Sequence, residues 1–346
     1  MRQSSRGMVL ALVMGIAFAA PLAGQTHRAI KQATKLLRKL ELVDGSGSGL
    51  DADTLDGKDA TAFAARLGRV VTVAESGGDF TTVQGAIDSI TDAGTATRYL
   101  VLVGPGTYSG RVTLKAGITV RGSGIGVTTL TADPAASCID GYTVKGATAA
   151  TVTDLTIGAG GTGACAVGIL NAGVSYATYR NLFISASQAT NTTAILDDSS
   201  SIELFDVTME IGQGTGSGDT FGVDQTNGSS LIFTRSSILG CSSGRDVVGI
   251  QNDDSSAAIM DGLVNTFLCG GATGVSVGIR NTNGSSDTVT VDRSTVRGTT
   301  ASIATAAGFT TRVGGSQLSG GAVSGSVTCA LVYDESYALF AGPACP

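Results

Sequence analysis

Short runs of about five to seven residues in which apolar and polar positions alternate recur along residues 138–318. Such alternation predicts β-strands with one buried face. A small residue followed by an apolar one returns within this pattern roughly every 26 to 30 residues, a period that indicates a solenoid or a propeller. The pairs are Gly168-Ile169, Ala194-Ile195, Gly222-Val223, Gly249-Ile250, Gly278-Ile279 and Gly308-Phe309, with Gly141 one period further upstream.

A second strand-like phrase occurs once in each period, and Gly, Ser, Asn and Asp separate the two phrases. It reads TVTDLTI, TYRNLFI, LFDVTM, FTRSSI, MDGLV and VDRSTV in successive copies. So many turn residues exclude long helices, and a propeller blade would need about 40 residues. The repeat therefore predicts an all-β fold, a parallel β-helix in which each coil stacks on the one before. Parallel crossovers are right-handed, and residues 70–318 would form roughly nine coils of about 27 residues.

A column of short polar side chains follows the repeated pair by three positions. Its members are Asn171, Asp197, Gln225, Asn252 and Asn281, continued by Thr311 and interrupted at Val144. Side chains at equal positions of successive coils are neighbours in a solenoid. Amides and carboxylates in register commonly hydrogen-bond to backbone groups and to each other, so the column predicts a structural polar ladder.

The cysteines follow the same spacing. They are Cys138, Cys165, Cys241, Cys269, Cys329 and Cys345. The first two are separated by one period, and so are the next two, which would place each pair on adjacent coils, with Cα atoms about 4.8 Å apart. The last two would close a C-terminal loop. The sequence predicts three disulfides, and buried free thiols are the alternative.

Composition divides the chain into five segments. Residues 1–24 are predicted to be a secretory signal peptide, because Arg2 and Arg6 precede an apolar run of about 13 residues, too short to span a bilayer. The others are a basic amphipathic helix at 25–44, a linker with an ADTLDG segment at 45–69, the β-helix at 70–323 and a disulfide-closed cap at 324–346. We expect a protein without a transmembrane segment that is secreted, extracellular or at the cell surface.

Charge separates the N-terminal arm from the body. The formal net charge is −6, yet residues 25–44 carry five Lys and Arg side chains. A basic arm on an acidic body is suited to an anionic surface or to another subunit, and a solvated helix is the alternative. An acidic body also argues against nucleic acid as the partner.

The start of the predicted β-helix carries a resemblance to a known superfamily. Residues 78–87 read GDFTTVQGAI and residues 105–108 read PGTY. Together with their surroundings, residues 71–133, they resemble the opening of the pectinesterase and pectate-lyase superfamily, which implies a right-handed parallel β-helix. The ADTLDG segment resembles a stretch of phage tail-fibre and bacterial surface proteins beside trimeric shafts, which implies a homotrimer.

The catalytic residues of that superfamily have no counterpart in this chain. The esterases carry a Glu after the PGxY phrase, where this chain has Ser109 and Gly110, and their QDTL, DFIFG and GRPW phrases are missing. The single histidine, His27, precedes the body, which argues against triads and zinc sites that need histidine there. A conventional active site is therefore not expected.

Five carboxylates remain as candidate site residues. They are Asp197, Asp198, Asp224, Asp253 and Asp254, which follow the repeated pair by two to five positions. We expect them along one edge, where Asp197 and Asp224 roughly 5 Å apart would suit a retaining glycosidase. The same oxygens could hold Ca²⁺, the one cofactor that the sequence suggests. A structural ladder, a calcium or ligand edge and a catalytic pair all stay open.

Two functions are compatible with these features. The first is a secreted or surface-exposed structural or adhesive β-helix that self-associates through its N-terminal arm and contacts a polysaccharide or a cell-surface ligand. The alternative is a polysaccharide-active lyase or hydrolase that uses the acidic edge. Sugar-binding faces usually offer aromatic platforms, and this chain has no Trp.

Overall fold

The computed structural model describes Lys35, Thr54–Leu55, Lys58–Asp59, residues 69–212, 218–242, 245–268 and 274–340, and Cys345. The chain forms two compact units, Met1–Gly68 and Arg69–Pro346. In the first unit, β1 (Thr54–Leu55) pairs antiparallel with β2 (Lys58–Asp59), and Lys35 is helical. The signal peptide at 1–24, the rest of the basic helix at 25–44 and the Gly/Ser linker at 45–49 lie outside the described residues.

The second unit is built from parallel strands in three sheets, and its strands are numbered in chain order. The first sheet contains β3 (Val70–Val73), β4 (Tyr99–Val103), β7 (Ile118–Arg121), β16 (Ser230–Thr234), β19 (Ser256–Met260), β22 (Asp287–Asp292), β25 (Phe309–Gly314) and β27 (Val327–Ala330). The second sheet contains β5 (Gly106–Ser109), β8 (Thr128–Ala132), β17 (Ser237–Ser242), β20 (Leu263–Leu268), β23 (Thr295–Gly298), β26 (Gln317–Gly320) and β28 (Val332–Tyr333). Three long strands run through both of these sheets: β10 (Thr151–Gly160), β12 (Ala177–Ser187) and β14 (Ser201–Gly212). The third sheet contains β6 (Val112–Thr113), β9 (Tyr142–Lys145), β11 (Cys165–Ala172), β13 (Asn191–Asp198), β15 (Thr220–Thr226), β18 (Val247–Asp253), β21 (Ser276–Thr282) and β24 (Ala301–Thr305).

The strand register shows how the coils stack. The chain passes through the first, second and third sheets in turn and then returns to the first sheet, one strand further along. Tyr179 thus pairs with Val152 of the coil before it and with Leu204 of the coil after it. This is the predicted right-handed parallel β-helix. The described part of the third sheet has eight strands, whereas the first sheet continues beyond it at both ends, so the number of roughly nine coils stays a prediction.

Apolar side chains from all three sheets fill the interior. One inward column of the third sheet is Ile169, Ile195, Val223, Ile250, Ile279 and Ile303, each 0% exposed. Burying a side chain of this size contributes about 1.5–3 kcal/mol. The residue before each of them is small because the sheet leaves little room inward: a Cβ on Gly222 would lie 2.7 Å from Ile238 Cγ2. This column is the structural origin of the repeated pair.

The register also corrects both ends of the repeat. Ile279 pairs with Ile303, whereas Phe309 lies in β25 of the first sheet, opposite Asp287. Ile169 pairs with Val144, so the earliest copy ends there and Gly141 lies outside it. The step from Ile279 to Ile303 is the shortest in the column, which is why a search for a nearly constant step passes over this copy.

Both ends of the coil stack are covered. Helix α1 (Val83–Ser89) begins after the N-cap Thr82 and packs on β3, β4 and β6. At its C-terminal end, Lys115 Nζ donates hydrogen bonds to the carbonyls of Ile87 and Ile90 at 2.9 and 2.7 Å, where a cation is favoured. At the far end, β29 (Leu339–Phe340) pairs antiparallel with β28. Within the described residues, no helix has both the length and the apolar character needed to cross a membrane.

Disulfides connect parts of the second unit. Cys138 bonds to Cys165 and Cys329 bonds to Cys345, with Cα atoms 5.0 and 5.3 Å apart. Cys241 is also disulfide-bonded, and Cys269, its predicted partner, lies outside the described residues. The first bond anchors the loop after β8 to the first residue of β11.

Replacing both Cys138 and Cys165 with serine is expected to lower the free energy of unfolding by about 3 kcal/mol. The two cysteines are separated by 27 positions in the sequence, and the unfolded chain gains the entropy of that loop when the bond is removed. Denaturant unfolding followed by circular dichroism measures the loss. Ala136→Ser, at an exposed position near the bond, should stay within about 0.5 kcal/mol of the wild type. An equally stable double variant would contradict a stabilising role for the bond.

Candidate functional site

A ladder of polar side chains faces the interior from the third sheet, beside the isoleucine column. Its buried members stand in register on successive strands: Asn171, Asp197, Gln225, Asn252, Asn281 and Thr305. Thr311 lies in the first sheet and reaches the same ladder, with its Oγ1 3.2 Å from Asn281 Nδ2. The inner ladder is therefore a continuous polar line through an apolar core.

Hydrogen bonds run in one direction through the C-terminal half of the inner ladder. Gln225 Nε2 donates to Asn252 Oδ1 at 2.5 Å, and Asn252 Nδ2 donates to Asn281 Oδ1 at 2.7 Å. Asn281 Nδ2 then donates to Thr305 Oγ1 at 2.9 Å. Buried amides require such partners, because an unpaired polar group in the core is costly.

The N-terminal end of the ladder is closed by an aromatic hydroxyl. Tyr179, 1% exposed, donates from its hydroxyl to Asn171 Oδ1 at 2.5 Å. On the preceding coil, the position that aligns with Asn171 is Gly146, because Lys145 pairs with Leu170. A Cβ on Gly146 would lie 2.5 Å from the Tyr179 hydroxyl oxygen. The column stops at this coil because Tyr179 and Asn171 already fill the space.

Asp197 is the one acidic member of the ladder. Its side chain is 0% exposed, and neither carboxyl oxygen has a hydrogen-bond partner among the described residues. Burial, and then the neighbouring charge of Asp198, raise the pKa of Asp197 to about 8. Asp197 thus belongs to the interior and does not face a solvent-exposed edge.

The outer surface of the third sheet carries a different polar column. Leu196, Asp224, Gln251 and Arg280 occupy one register line on successive strands, and we call the last three the outer strip. Arg280 Nε donates to Gln251 Oε1 at 2.5 Å, and its Nη1 donates to Asp246 Oδ2 at 3.2 Å. These two bonds fix the guanidinium beside the sheet.

Asp224 is the unusual carboxyl of the outer strip. It is half-buried, and its side chain makes no hydrogen bond within the described part of the chain. Burial raises the pKa of Asp224 to about 6; the positive charge of Arg280 opposes this shift and the negative charge of Asp253 adds to it. A carboxyl that changes protonation near neutral pH and has no structural partner is suited to proton transfer.

The other three predicted carboxylates lie at the corner between the third and first sheets. Asp198 Oδ1 accepts from Asn227 Nδ2 at 2.8 Å, and Asp253 Oδ1 accepts from Asn283 Nδ2 at 2.7 Å. Asp254 Oδ1 accepts from Ser285 at 3.0 Å. Each of these bonds joins one coil to the next and supports a turn.

The structure therefore divides the five carboxylates among three places. Asp197 is inside the coil, Asp224 is on the outer strip, and Asp198, Asp253 and Asp254 hold the corner. Asp197 pairs with Gln225, so Asp224 is offset by one position and projects to the opposite face of the sheet. A glycosidase pair of Asp197 and Asp224 is not assembled. In the described ranges, no group of three His, Cys, Asp or Glu side chains is placed to hold a metal ion.

A charged ladder that the sequence analysis missed follows the corner between the first and second sheets. Its members all have a left-handed backbone: Asp154, Asn181, Asp206, Arg235, Asp261 and Arg293, with φ between 46° and 60°. Arg235 binds Asp206 through two bonds of 2.8 Å, and Arg293 binds Asp261 at 2.9 and 3.2 Å. These bonds hold the pKa values of Asp206 and Asp261 below the usual range. The signal was the polar residue in the middle of each second phrase, as in TVTDLTI and TYRNLFI.

The second sheet carries apolar side chains on its outer surface. Leu239 and Leu263 lie on the neighbouring strands β17 and β20 and are 44% and 46% exposed. Leu239 also lines a cleft of about 430 Å³ together with Glu210 and Phe267. Exposed large apolar side chains on adjacent strands are typical of contact surfaces.

No protein-family model and no curated protein sequence matches this chain. Several solved structures are similar to this chain in their fold. A pectin methylesterase from Erwinia chrysanthemi is 11% identical over 79% of this chain and 91% of that protein, with a TM-score of 0.40. One from carrot is 16% identical over 61% and 82%, with a TM-score of 0.37.

A third structure, ORF18 of Geobacillus virus E2, is 14% identical over 84% of this chain and 68% of that protein, with a TM-score of 0.42. The parallel β-helix that the resemblance of residues 71–133 implies is confirmed by the strand pairing described above.

Proposed function

We propose that this protein is a secreted enzyme that cleaves an acidic polysaccharide on the outer strip, with Asp224 as the group that takes up or delivers the proton. The observation that carries the proposal is the half-buried Asp224 carboxyl, which has no hydrogen-bond partner in the described residues and a pKa of about 6. Such a group is poised for general acid–base catalysis near neutral pH.

Side chains near Asp224 give the outer strip a positive charge and an apolar surface. Arg280, held by Gln251 and Asp246, places a cation two strands away from Asp224, near enough to oppose the rise in its pKa, where it can attract the acidic group of a sugar. The guanidinium also lies over the Phe221 ring, 5.8 Å from its centroid, which adds a flat apolar surface to the strip. Burial is the main reason that the pKa of Asp224 is raised, and the negative charge of Asp253 adds to the shift.

The shape of the surface favours a linear polymer. Equivalent side chains on successive coils are about 4.8 Å apart, so a chain lying along the rod would contact several coils at once. Asp224, Gln251 and Arg280 stand on three consecutive strands. A polysaccharide that follows the coils can reach both Asp224 and Arg280, whereas Gln251, 6% exposed, supports Arg280 from between them.

The first experiment is a screen of uronic-acid-containing and neutral polysaccharides for new reducing ends and for unsaturated products. Unsaturated products would identify a lyase, and reducing ends alone a hydrolase. Parallel assays with Ca²⁺ and with a chelator show whether the metal takes part. We expect cleavage of at least one acidic polymer and of no neutral polymer. Cleavage of neutral polymers alone would contradict the role given to Arg280.

The second candidate is a secreted structural or adhesive β-helix that assembles as a homotrimer. The exposed Leu239 and Leu263 favour it, because they offer apolar contact area outside the outer strip. Secretion is supported by the disulfides, which persist in oxidising compartments. A cell-surface ligand would then take the place of a substrate.

The homotrimer predicts a specific mass in solution. Light scattering on the full chain is expected to give three times the mass of one chain over a range of concentrations. A variant with Leu239→Ser and Leu263→Ser distinguishes the contact surfaces: a trimer that persists favours the N-terminal arm, and one that dissociates favours the second sheet. A single-chain mass for the wild type at all concentrations would exclude the trimer.

A further inference from the structure

We infer that Asp197 is built into the fold as a protonated carboxylic acid, and that this proton completes the inner ladder and makes the stability of the β-helix depend on pH. Asp197 is buried in the interior, and the proposed enzyme site does not use it.

The partnerless atoms lie together. Among the described residues, Asn171 Nδ2, Gln225 Oε1 and both carboxyl oxygens of Asp197 are buried without a hydrogen-bond partner. Asn171 and Gln225 are the two register neighbours of Asp197. A donor therefore stands on one side of the carboxyl and an acceptor on the other.

The direction of the other bonds fixes what each neighbour needs. Asn171 Oδ1 is already taken by the Tyr179 hydroxyl, so its Nδ2 must donate. Gln225 Nε2 is already given to Asn252, so its Oε1 must accept. An ionised carboxylate can accept from Asn171, but it has no hydrogen to give to Gln225.

A proton on Asp197 supplies the donor that Gln225 requires. With a proton, the Asp197 side chain has what both neighbours require: a carbonyl oxygen that can accept from Asn171 Nδ2 and a hydroxyl that can donate to Gln225 Oε1. The ladder then runs without a break from Tyr179 to Thr305, and every rung both accepts and donates. The protonated acid has the hydrogen-bonding pattern of an asparagine, the residue present at Asn171, Asn252 and Asn281.

The surroundings favour the neutral form. The titratable groups that act on Asp197 are Asp198 on its own strand and the Tyr179 phenol on β12, and neither supplies a positive charge. Asn171 and Gln225, the rungs on either side, are neutral amides. Burial raises the pKa of Asp197 to about 8, and Asp198 adds to the shift.

The sign of the pH effect follows from linkage. The carboxyl loses its proton near pH 4 in the unfolded chain and near pH 8 in the folded one, so the folded state holds one more proton in between. The stabilisation is complete below pH 4 and is lost as pH rises through about 8. The unfolding equilibrium constant due to this residue increases about tenfold per pH unit across that window.

The test compares the full-length wild type with Asp197→Asn, which keeps the donor and acceptor and cannot ionise. Between pH 5 and pH 7, the unfolding constant of the wild type should rise about 100-fold relative to that of the variant, because all other groups cancel in the ratio. Asn252→Asp places a second acid in the same ladder and should steepen the pH dependence in the same direction. A ratio that does not change with pH would overturn the inference.

Infrared difference spectroscopy gives a second measurement that needs no unfolding. The wild type minus Asp197→Asn spectrum at pH 7 should contain the carbonyl band of a buried protonated carboxylic acid. Asp198→Asn, the neighbouring and more accessible position, should leave that band in place. An ionised-carboxylate band in its position would show that Asp197 is charged and would also overturn the inference.

Discussion

Replacing Gly249 with valine is expected to lower the free energy of unfolding by about 4 kcal/mol and the melting temperature by about 10 °C. A Cβ at this position would lie 2.6 Å from the Gly278 carbonyl oxygen on the next coil and in collision with Val264 Cγ1. The carbonyl belongs to the backbone of the stacked strand, so it cannot turn aside as a side chain could. Thermal unfolding followed by circular dichroism measures the change.

The column that contains Gly249 provides a graded control. Ala194 and Ser302 occupy equivalent positions before the isoleucine column, so a single Cβ can be accommodated when the strand relaxes. Gly249→Ala should therefore cost less than Gly249→Val. Gly158→Val is the matched control at a roomier position, because its nearest atom would be 3.6 Å away. Equal losses at positions 158 and 249 would contradict the steric origin of the repeat.

Asp224→Asn is expected to reduce kcat/KM on the cleaved polysaccharide at least 100-fold, roughly the lower range for losing a general acid or base. With a pKa of about 6, an Asp224 that acts as a base requires wild-type activity to rise as pH increases through 6. An Asp224 that acts as an acid requires it to fall over the same interval. The pH dependence of kcat/KM distinguishes the two roles.

The control for Asp224 is Glu203→Gln, which changes a carboxyl on β14 in the first sheet, away from the outer strip. It should leave kcat/KM and the pH profile unchanged. Arg280→Ala is expected to raise KM more than it lowers kcat if the guanidinium binds the acidic sugar. Full activity in the Asp224→Asn variant would show that the reaction takes place elsewhere on the molecule.

The sequence was sufficient to predict the coil stack because the same steric requirement recurs in every coil. An isoleucine that packs in the core beside a closely stacked strand needs a small residue before it. This pair therefore recurs once in each coil and can be recognised in the sequence. The inner ladder was readable for the same reason. The period failed between Ile279 and Ile303, where the coil is shorter than those before it.

The candidate site was harder to predict because one position decides which side of a strand a residue faces. Asp197 and Asp224 belong to similar places in the repeat, yet Asp197 is opposite Gln225 and Asp224 is opposite Leu196. That offset of one separates a buried rung from a surface group. Arg280 escaped notice because its contacts with Gln251 and Asp246 join residues 29 and 34 positions apart.

The reversed strand at the C-terminal end has a consequence for how the protein behaves at high concentration. A parallel coil stack offers its last edge as a template on which a second rod could continue the same pattern and polymerise into fibrils. Because β29 runs antiparallel to β28, a strand of a second molecule would meet a strand of the opposite direction at that edge. The same short hairpin that finishes the second sheet thus also blocks the continuation of that sheet into a second molecule.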